Sequence, residues 1–255
     1  MTFVSKYKSP EFFTNFIEIL KIGKYHAFFS SVKQKGISPL LLIRILISFP
    51  FIEQKSVHSF TNNDCWKQFA VFGKDAYYRL KNNFKINWRG FLMCVVKQVF
   101  ITLEKRRTTT NINTSGVKAF IFDDTPIAKT GCRIEGTSKI WNHVISRQIL
   151  GYQLLVMGIY DGTMFIPINF SFHREKGKNK KKPFGLKPKH YKNQYKKKRN
   201  KSTFGAERVK ELDITKISSS IKMIKYAVKK GIRVDYVLTD SWFTCWELVK
   251  TSLNN

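Results

Sequence analysis

Residues 117–126, VKAFIFDDTP, decide the fold of this chain. The apolar residues at 117 and 119–122 predict a short buried β-strand, and Asp123 and Asp124 follow it directly. Residues 234–240, VDYVLTD, show the same pattern of a predicted strand followed by an aspartate, here Asp240. Ligand sites of α/β sheets form at the carboxyl ends of parallel strands. We therefore expect a functional site where these two strands end.

The segments between the two aspartates predict how the strands are arranged. Residues 148–160 and 164–172 read as strands, and Asp161-Gly162 between them is a signal for a two-residue hairpin. Apolar residues at helical spacing over 217–228 predict a helix that stops at Gly231. Three antiparallel strands, a helix and a fourth strand parallel to the first make a mixed α/β sheet. The crossover brings Asp124 and Asp240 to neighbouring strand ends.

The chain divides into two predicted regions. Residues 1–107 carry helical patterns whose aromatic residues are expected in a core. Residues 108–116 are small or polar apart from Ile112, as in a linker. We predict an all-helical region over 1–115 and an α/β domain over 116–255. Trp242 and Trp246, four residues apart, are also expected to pack in a core, with stacking on an unpaired base as the alternative.

Charge points to a polyanionic partner. The 255 residues include 46 Lys and Arg against 17 Asp and Glu, a formal net charge of +29. Fifteen of these cations lie in residues 174–208, the basic segment, with only Glu175 and Glu207 to balance them. We predict phosphate contacts there without sequence readout. The alternatives are a solvated, disordered insertion or a nuclear-type basic tract of no consequence. The predicted contacts are Lys180, Lys181, Lys182, Lys196, Lys197, Lys198 and Arg199.

The paired aspartates predict metal chemistry. Two close carboxylates repel each other unless a cation lies between them, and oxygen ligands suit Mg²⁺ or Mn²⁺. Such ions support displacement at phosphorus. The alternative is that each aspartate is only a turn or cap residue. Neighbouring strand residues point to opposite faces, so only one of Asp123 and Asp124 can face the site.

The sequence also predicts a location. Its most apolar stretch, residues 40–52, contains Arg44 and Pro50 and is shorter than the roughly 18 to 20 residues of a membrane span. The first residues do not resemble a secretory signal, and the four cysteines form no Cys-x-x-Cys pair. We expect a cytoplasmic, nucleoid-associated protein without a membrane partner.

Several motifs together resemble bacterial insertion-sequence transposases of the DDE superfamily, in the group with a Tyr–Arg–Glu–Lys third motif. Residues 122–126, FDDTP, with 129–131, KTG, resemble the first catalytic motif, and residues 231–243, GIRVDYVLTDSWF, resemble the second. The connecting strands of the group resemble residues 141–143, 151–154 and 172–176. The resemblance covers about residues 73–250 and implies an RNase H-like fold for a catalytic domain over 116–255. It also implies that the helical region over 1–115 binds DNA ends.

The resemblance also implies roles for individual residues. Asp124 matches the first catalytic acid and Asp240 the second, both as ligands of Mg²⁺ or Mn²⁺. The third acid of the family, a glutamate on a later helix, has no counterpart in these 255 residues. Glu247, seven positions past Asp240, is a weak substitute because its spacing carries it two turns from the site. The resemblance thus implies a C-terminally truncated chain with an incomplete sheet and no activity of its own.

Two readings of the function follow. The first is a cut-and-paste DNA transposase that hydrolyses phosphodiesters at transposon ends and joins them to target DNA. The second is a non-catalytic DNA-binding remnant that occupies or regulates transposon ends, alone, as a homodimer or with a complete transposase. An RNA-binding or RNase H-type nuclease is a third option, which the Asp-Asp-Thr motif and the helical front half disfavour.

Overall fold

The chain forms two units in the computed structural model. It describes residues 18–30, 36–63, 73–109 and 116–253. The contacts divide the chain into Met1–Thr109 and Thr110–Asn255. The helical pattern predicted before residue 18 lies outside the described residues.

The first unit is helical where it is described. Ser56 caps one helix, because its hydroxyl accepts a hydrogen bond of 3.0 Å from the Ser59 N–H. After a 3₁₀ turn over Ile22–Tyr25, the helices are α1 (Ala27–Ser30), α2 (Pro39–Ser48), α3 (Val57–Asn62), α4 (Lys74–Lys81) and α5 (Trp88–Thr109).

Aromatic rings form the core of this unit. Phe29 is fully buried, and its ring centroid lies 5.1 Å from that of Phe91 and 5.9 Å from that of Trp88. This confirms the core position predicted for aromatic residues of the helical region. Among the described residues, we find no helix with both the length and the apolar character needed to cross a bilayer.

The second unit contains a five-stranded mixed sheet in the part of the chain that the structure describes. The strands are β1 (Ala119–Ala128), β2 (Ser138–Asn142), β3 (Arg147–Tyr160), β4 (Phe165–His173) and β5 (Tyr236–Leu238). Their order in the sheet is β2-β3-β1-β5, and β4 also pairs with β3. All pairs are antiparallel except β1 with β5, in which Phe120 lies beside Val237. The predicted mixed α/β sheet is therefore confirmed at this level.

Two sequence predictions about these strands are wrong in detail. The first strand does not end before Asp123 but continues to Ala128, because β3 is long enough to pair with β1 over its whole length. The hairpin after β3 has four connecting residues rather than two, since Tyr160 pairs with Phe165. The carboxylate of Asp161 stabilises this longer loop by accepting hydrogen bonds from the Thr163 and Met164 N–H groups, each 3.0 Å long.

The described helices of the second unit lie between β4 and β5 and after β5. They are α6 (Pro188–Lys192), α7 (Phe204–Glu211), α8 (Lys216–Lys229) and α9 (Trp246–Leu253), with 3₁₀ turns over Pro183–Gly185 and Ser241–Phe243. Thr215 caps α8 by accepting a 3.2 Å hydrogen bond from the Ser218 N–H, and Gly231, with φ of +79°, follows the helix end. α8 buries Met223, Ile224 and Ala227, which share one face.

Candidate active site and basic surface

Asp124 binds a cation supplied by the chain itself. The ammonium of Lys216, the first residue of α8, lies 2.7 Å from Asp124 Oδ2. Both side chains are partly shielded, with 19% of the Lys216 side chain and 25% of the Asp124 side chain exposed. Asp124 is three residues past Ile121, where β1 stops pairing with β5. It therefore lies inside β1 but beyond the carboxyl end of the parallel strand pair.

Asp240 lies in a short turn after β5. It precedes the 3₁₀ turn Ser241–Phe243, whose buried Phe243 ring anchors the segment and whose Phe243 N–H donates to the Asp240 carbonyl over 2.9 Å. The Asp240 side chain is exposed and accepts a hydrogen bond from the Ser241 hydroxyl over 3.1 Å. One oxygen of the Asp240 carboxylate therefore has a hydrogen-bond partner within the turn, and the side chain faces solvent.

Lys216 connects the two segments that carry the aspartates. Its Nζ lies 4.7 Å from the centroid of the Trp242 ring and 5.9 Å from that of Phe243, both within the range of cation–π attraction. The same ammonium is bound to Asp124. The structure therefore brings Asp124 to the turn that follows Asp240, across the edge where the parallel pair ends.

Asp123 occupies a different position from Asp124. It is exposed, and its Oδ1 accepts a 2.9 Å hydrogen bond from the backbone N–H of Asp124. Because strand neighbours alternate, its side chain leaves the face on which Asp124 meets Lys216. However, continuing the parallel register of Ile121 and Leu238 by two residues sets Asp123 beside Asp240. β5 ends at Leu238, so strand pairing does not fix the backbone position of Asp240.

The two aspartates supply only carboxylate oxygens, the ligands that Mg²⁺ and Mn²⁺ prefer. Within the ranges that the structure describes, no three His, Cys, Asp or Glu side chains gather into a metal-binding group. Asp124 and Asp240 are the carboxylates that could hold an ion at this edge, and in this structure Asp124 binds the Lys216 ammonium at 2.7 Å.

The two tryptophans near the site are not core residues. Trp242 is 67% exposed and Trp246 is 71% exposed, so the predicted core packing is wrong. Their four-residue spacing does not place them on one helix face, because they lie in different elements: Trp242 is in the 3₁₀ turn, and Trp246 begins α9. The buried positions of α9 are Leu248 and Thr251 instead. Stacking of an exposed indole on a base stays a prediction.

The basic segment is folded against the sheet. The side-chain amide of Gln194 is buried, donating to the Thr137 carbonyl over 2.9 Å and accepting from the Gly136 N–H over 3.1 Å. Arg174 pairs with Asp213 through two hydrogen bonds of 2.7 and 2.6 Å, and its guanidinium lies 3.9 Å from the centroid of the buried Phe184 ring. The alternative of a disordered insertion is thereby wrong for this segment.

The predicted phosphate contacts fall into two groups. The six lysines, at positions 180–182 and 196–198, are all exposed. Arg199 differs, because its guanidinium donates to both Glu135 carboxylate oxygens over 2.8 and 2.5 Å. These hydrogen bonds raise the pKa of Arg199 despite the opposing effect of burial. Burial, followed by the charge of Glu135, raises the pKa of nearby Tyr152 to about 12. Arg199 therefore fastens the segment to the sheet domain, and the lysines form its charged surface.

Removing the Gln194 amide should destabilise this attachment. We expect Gln194→Ala to lower the free energy of unfolding by about 1–3 kcal/mol, because it leaves the buried Gly136 N–H and Thr137 carbonyl without their partner. Urea denaturation followed by circular dichroism measures this change. The exposed neighbour supplies the control: Asn193→Ala should alter stability by less than about 0.5 kcal/mol. Equal effects of the two substitutions would contradict the described attachment.

Sequence reasoning missed Lys216. Its position offered one usable signal, because the helix predicted over 217–228 begins next to Thr215, a good capping residue, just before the chain crosses to the second aspartate. The long-range pairing with Asp124, 92 residues earlier, is visible only in the fold.

We compared the chain with models of protein families, with curated proteins and with solved structures, and found no match in any of the three.

Proposed function

We propose that this chain belongs to the DDE, RNase H-like superfamily of DNA transposases, with Asp124 and Asp240 as two of the superfamily's catalytic acids. The observation that carries the proposal is the Lys216 ammonium, which binds Asp124 and contacts the Trp242 ring two residues after Asp240. This contact supports a shared site at the edge where the parallel strands end. Ligand sites of α/β sheets form at such edges.

The strand arrangement agrees with this assignment. β1, β3 and β4 form an antiparallel set, α8 crosses the sheet, and β5 then lies parallel to β1. This is the order of antiparallel strands, helix and parallel strand that the sequence resemblance implies for an RNase H-like domain. The first acid on β1 and the second after β5 keep the positions that the resemblance gives them.

The chemistry follows from the donor set. A divalent cation lowers the pKa of bound water and offsets negative charge on phosphate oxygens. Asp124 and Asp240 would hold this cation through carboxylate oxygens, and β1 fixes the backbone of Asp124 by pairing it with Leu155. The exposed side chain of Asp240 leaves the site open to a large substrate such as a DNA duplex.

The basic surface supplies the second part of the proposed function. Its six exposed lysines are held on a folded segment that Gln194, Arg174 and Arg199 attach to the domain. Lysines fixed in this way bind phosphates at lower entropic cost than those of a flexible tail. Contacts of this kind position DNA without reading its sequence. We assign recognition of the DNA sequence to the helical region. The same proposal implies that the protein associates with the nucleoid and that its catalysis requires Mg²⁺ or Mn²⁺.

A second candidate is a DNA-binding protein that does not cut. The described residues favour it in one respect: they bring the Asp124 carboxylate to Lys216 but gather no group of three potential metal ligands. Such a protein would occupy transposon ends through the same basic surface. Both candidates require DNA binding, and they differ only in catalysis.

A footprinting experiment tests the proposal. The purified chain is mixed with duplex DNA carrying the sequences that flank its own reading frame, and DNase I protection is mapped. We expect protection of terminal inverted repeats at protein concentrations that leave a scrambled duplex unprotected. Equal protection of both duplexes would contradict recognition of transposon ends, and tighter binding to RNA than to DNA would favour the nuclease or RNA-binding reading.

A further inference from the structure

The hairpin between β2 and β3 ends in an exposed apolar tip. β2 stops at Asn142, which pairs with Arg147 at the start of β3, so residues 143–146 form the tip. Val144 is 91% exposed and Ile145 is 46% exposed. Two adjacent apolar side chains at a projecting tip differ from the scattered ones that any protein surface carries. Their position suits contact with a partner rather than packing within the domain.

The tip is held in one shape by its own side chains. The Asn142 side-chain carbonyl accepts hydrogen bonds from the Val144 N–H over 3.0 Å and from the Ile145 N–H over 3.4 Å. The rings of Trp141 and His143 meet edge to face, with centroids 6.4 Å apart. Valine and isoleucine are also stiff at χ1 because they branch at Cβ. Contact with a partner therefore costs this tip little conformational entropy.

The charges around the tip favour a polyanion as that partner. Residues 129–150 contain four Lys and Arg and one acid, Glu135. The Glu135 carboxylate is bound by the Arg199 guanidinium. Arg147, at the base of the tip, is exposed. Cations around an apolar centre, with the one acid of this stretch already paired, match the phosphates of a nucleic acid rather than a protein surface of mixed charge.

The basic segment lies along the strand that leads to the tip. Glu175 Oε2 accepts a 3.1 Å hydrogen bond from the backbone N–H of Trp141 in β2. Ten residues later, Gly185 lies so close to β2 that an added Cβ would meet the Lys139 side chain. The lysines at positions 180–182 fall between these two contacts. The basic surface and the apolar tip therefore belong to the same part of the second unit.

We propose that Val144 and Ile145 form a wedge that inserts between base pairs of duplex DNA from the minor groove and bends the duplex. This inference rests on the proposed function, because it takes DNA as the partner of the basic surface. Apolar side chains inserted in this way unstack a base step and kink the duplex. The lysines of the basic segment and Arg147 hold the phosphates on either side, which fixes the position of the wedge.

The wedge predicts a preference that phosphate contacts alone do not produce. Unstacking a base step costs free energy, and this cost is smallest where the stack is already weakened. We therefore expect about tenfold tighter binding to a duplex with a central two-base mismatch than to a matched duplex of the same length. The attraction between lysines and phosphates is the same for both, since the two duplexes carry the same number of phosphates.

Fluorescence anisotropy with the two duplexes measures the preference, and energy transfer between dyes at the duplex ends measures the bend. The tip variant combines Val144→Ser with Ile145→Ser. The matched control combines Val117→Ser with Ile101→Ser, since these residues are 53% and 40% exposed. We expect the tip variant to bind both duplexes equally, to lose the bend and to keep the wild-type salt slope. The control should match the wild type in all three measurements.

Three outcomes overturn the inference. Equal binding of both duplexes by the wild type, or a bend that survives in the tip variant, overturns the wedge while DNA binding through the lysines stands. An unchanged bend together with a changed sedimentation mass of the tip variant makes the tip a protein interface instead. Failure of the wild type to bind either duplex overturns the wedge together with the proposed function.

Discussion

Replacement of Lys180, Lys181, Lys182, Lys196, Lys197 and Lys198 by alanine is expected to flatten the salt dependence of DNA binding. Each phosphate contact contributes about 0.9 to the slope of log affinity against log salt concentration, so loss of all six lowers the slope by up to about 5. Between 50 and 200 mM salt, a slope of that size corresponds to about a thousandfold change in affinity. Fluorescence anisotropy with a labelled duplex at several salt concentrations measures it.

A charge-matched control separates local contacts from net charge. The exposed lysines outside the basic segment offer the same reduction of six charges: Lys210, Lys222, Lys225, Lys229, Lys230 and Lys250. We expect this control to keep most of the wild-type slope, because long-range attraction is screened beyond about 10 Å at 0.1 M salt. Equal slopes of the two variants, or an unchanged slope of the first, would show that the basic segment does not touch DNA.

The second large effect concerns catalysis. We expect a polypeptide of these 255 residues to bind DNA but to cleave duplexes carrying transposon ends no faster than its Asp240→Asn variant, in either Mg²⁺ or Mn²⁺. The physical reason is the number of carboxylates, because the resemblance assigns a third acid that these residues do not contain. Without it, the site holds less negative charge to retain the ions that activate water and steady the leaving oxygen.

Cleavage above that control would contradict the expectation. Asp240→Asn keeps the shape of the side chain and removes its charge, so any cleavage that it abolishes requires the Asp240 carboxylate. Glu247 would then be the first candidate for the missing ligand. It is exposed in the first turn of α9, and Glu247→Gln would test it. Cleavage that survives in both variants would belong to a contaminating nuclease.

The sheet could be predicted because its determinants are local. Apolar runs over β1, β3 and β4 and the loop at Asp161 identify three strands, and the helical period identifies α8. The end of β1 could not be predicted, since its pairing beyond Phe122 depends on the length of β3, a partner more than twenty residues away. Hydrophobic alternation alone did not identify β2 either, although Trp141 and Asn142 stood in the motifs of the resemblance.

The candidate site could be predicted in part from the order of the strands and the crossover helix. The crossover brought Asp124 towards the segment of Asp240, which the Lys216 contacts support. Strand alternation did not decide between Asp123 and Asp124. Lys216 and Arg199 show what sequence patterns miss. Each is one cation among many in a chain of net charge +29, and only the fold shows that each binds a particular carboxylate.

Iron-directed cleavage of the polypeptide tests the central claim most directly, because it depends on metal binding and not on catalysis. Fe²⁺ is added in place of Mg²⁺ with ascorbate and hydrogen peroxide, and radicals formed at the bound ion cut the backbone near its ligands. Mass spectrometry of the fragments identifies the cut positions in the wild type and in Asp123→Asn, Asp124→Asn and Asp240→Asn.

If Asp124 and Asp240 share a divalent cation, cuts will cluster within a few residues of both aspartates in the same sample. Excess Mg²⁺ will suppress them, Asp124→Asn and Asp240→Asn will each remove both clusters, and Asp123→Asn will retain them. Loss of the cuts in Asp123→Asn but not in Asp124→Asn would move the first ligand to Asp123. Cuts near only one aspartate, or cuts unchanged in Asp240→Asn, would contradict a shared metal site.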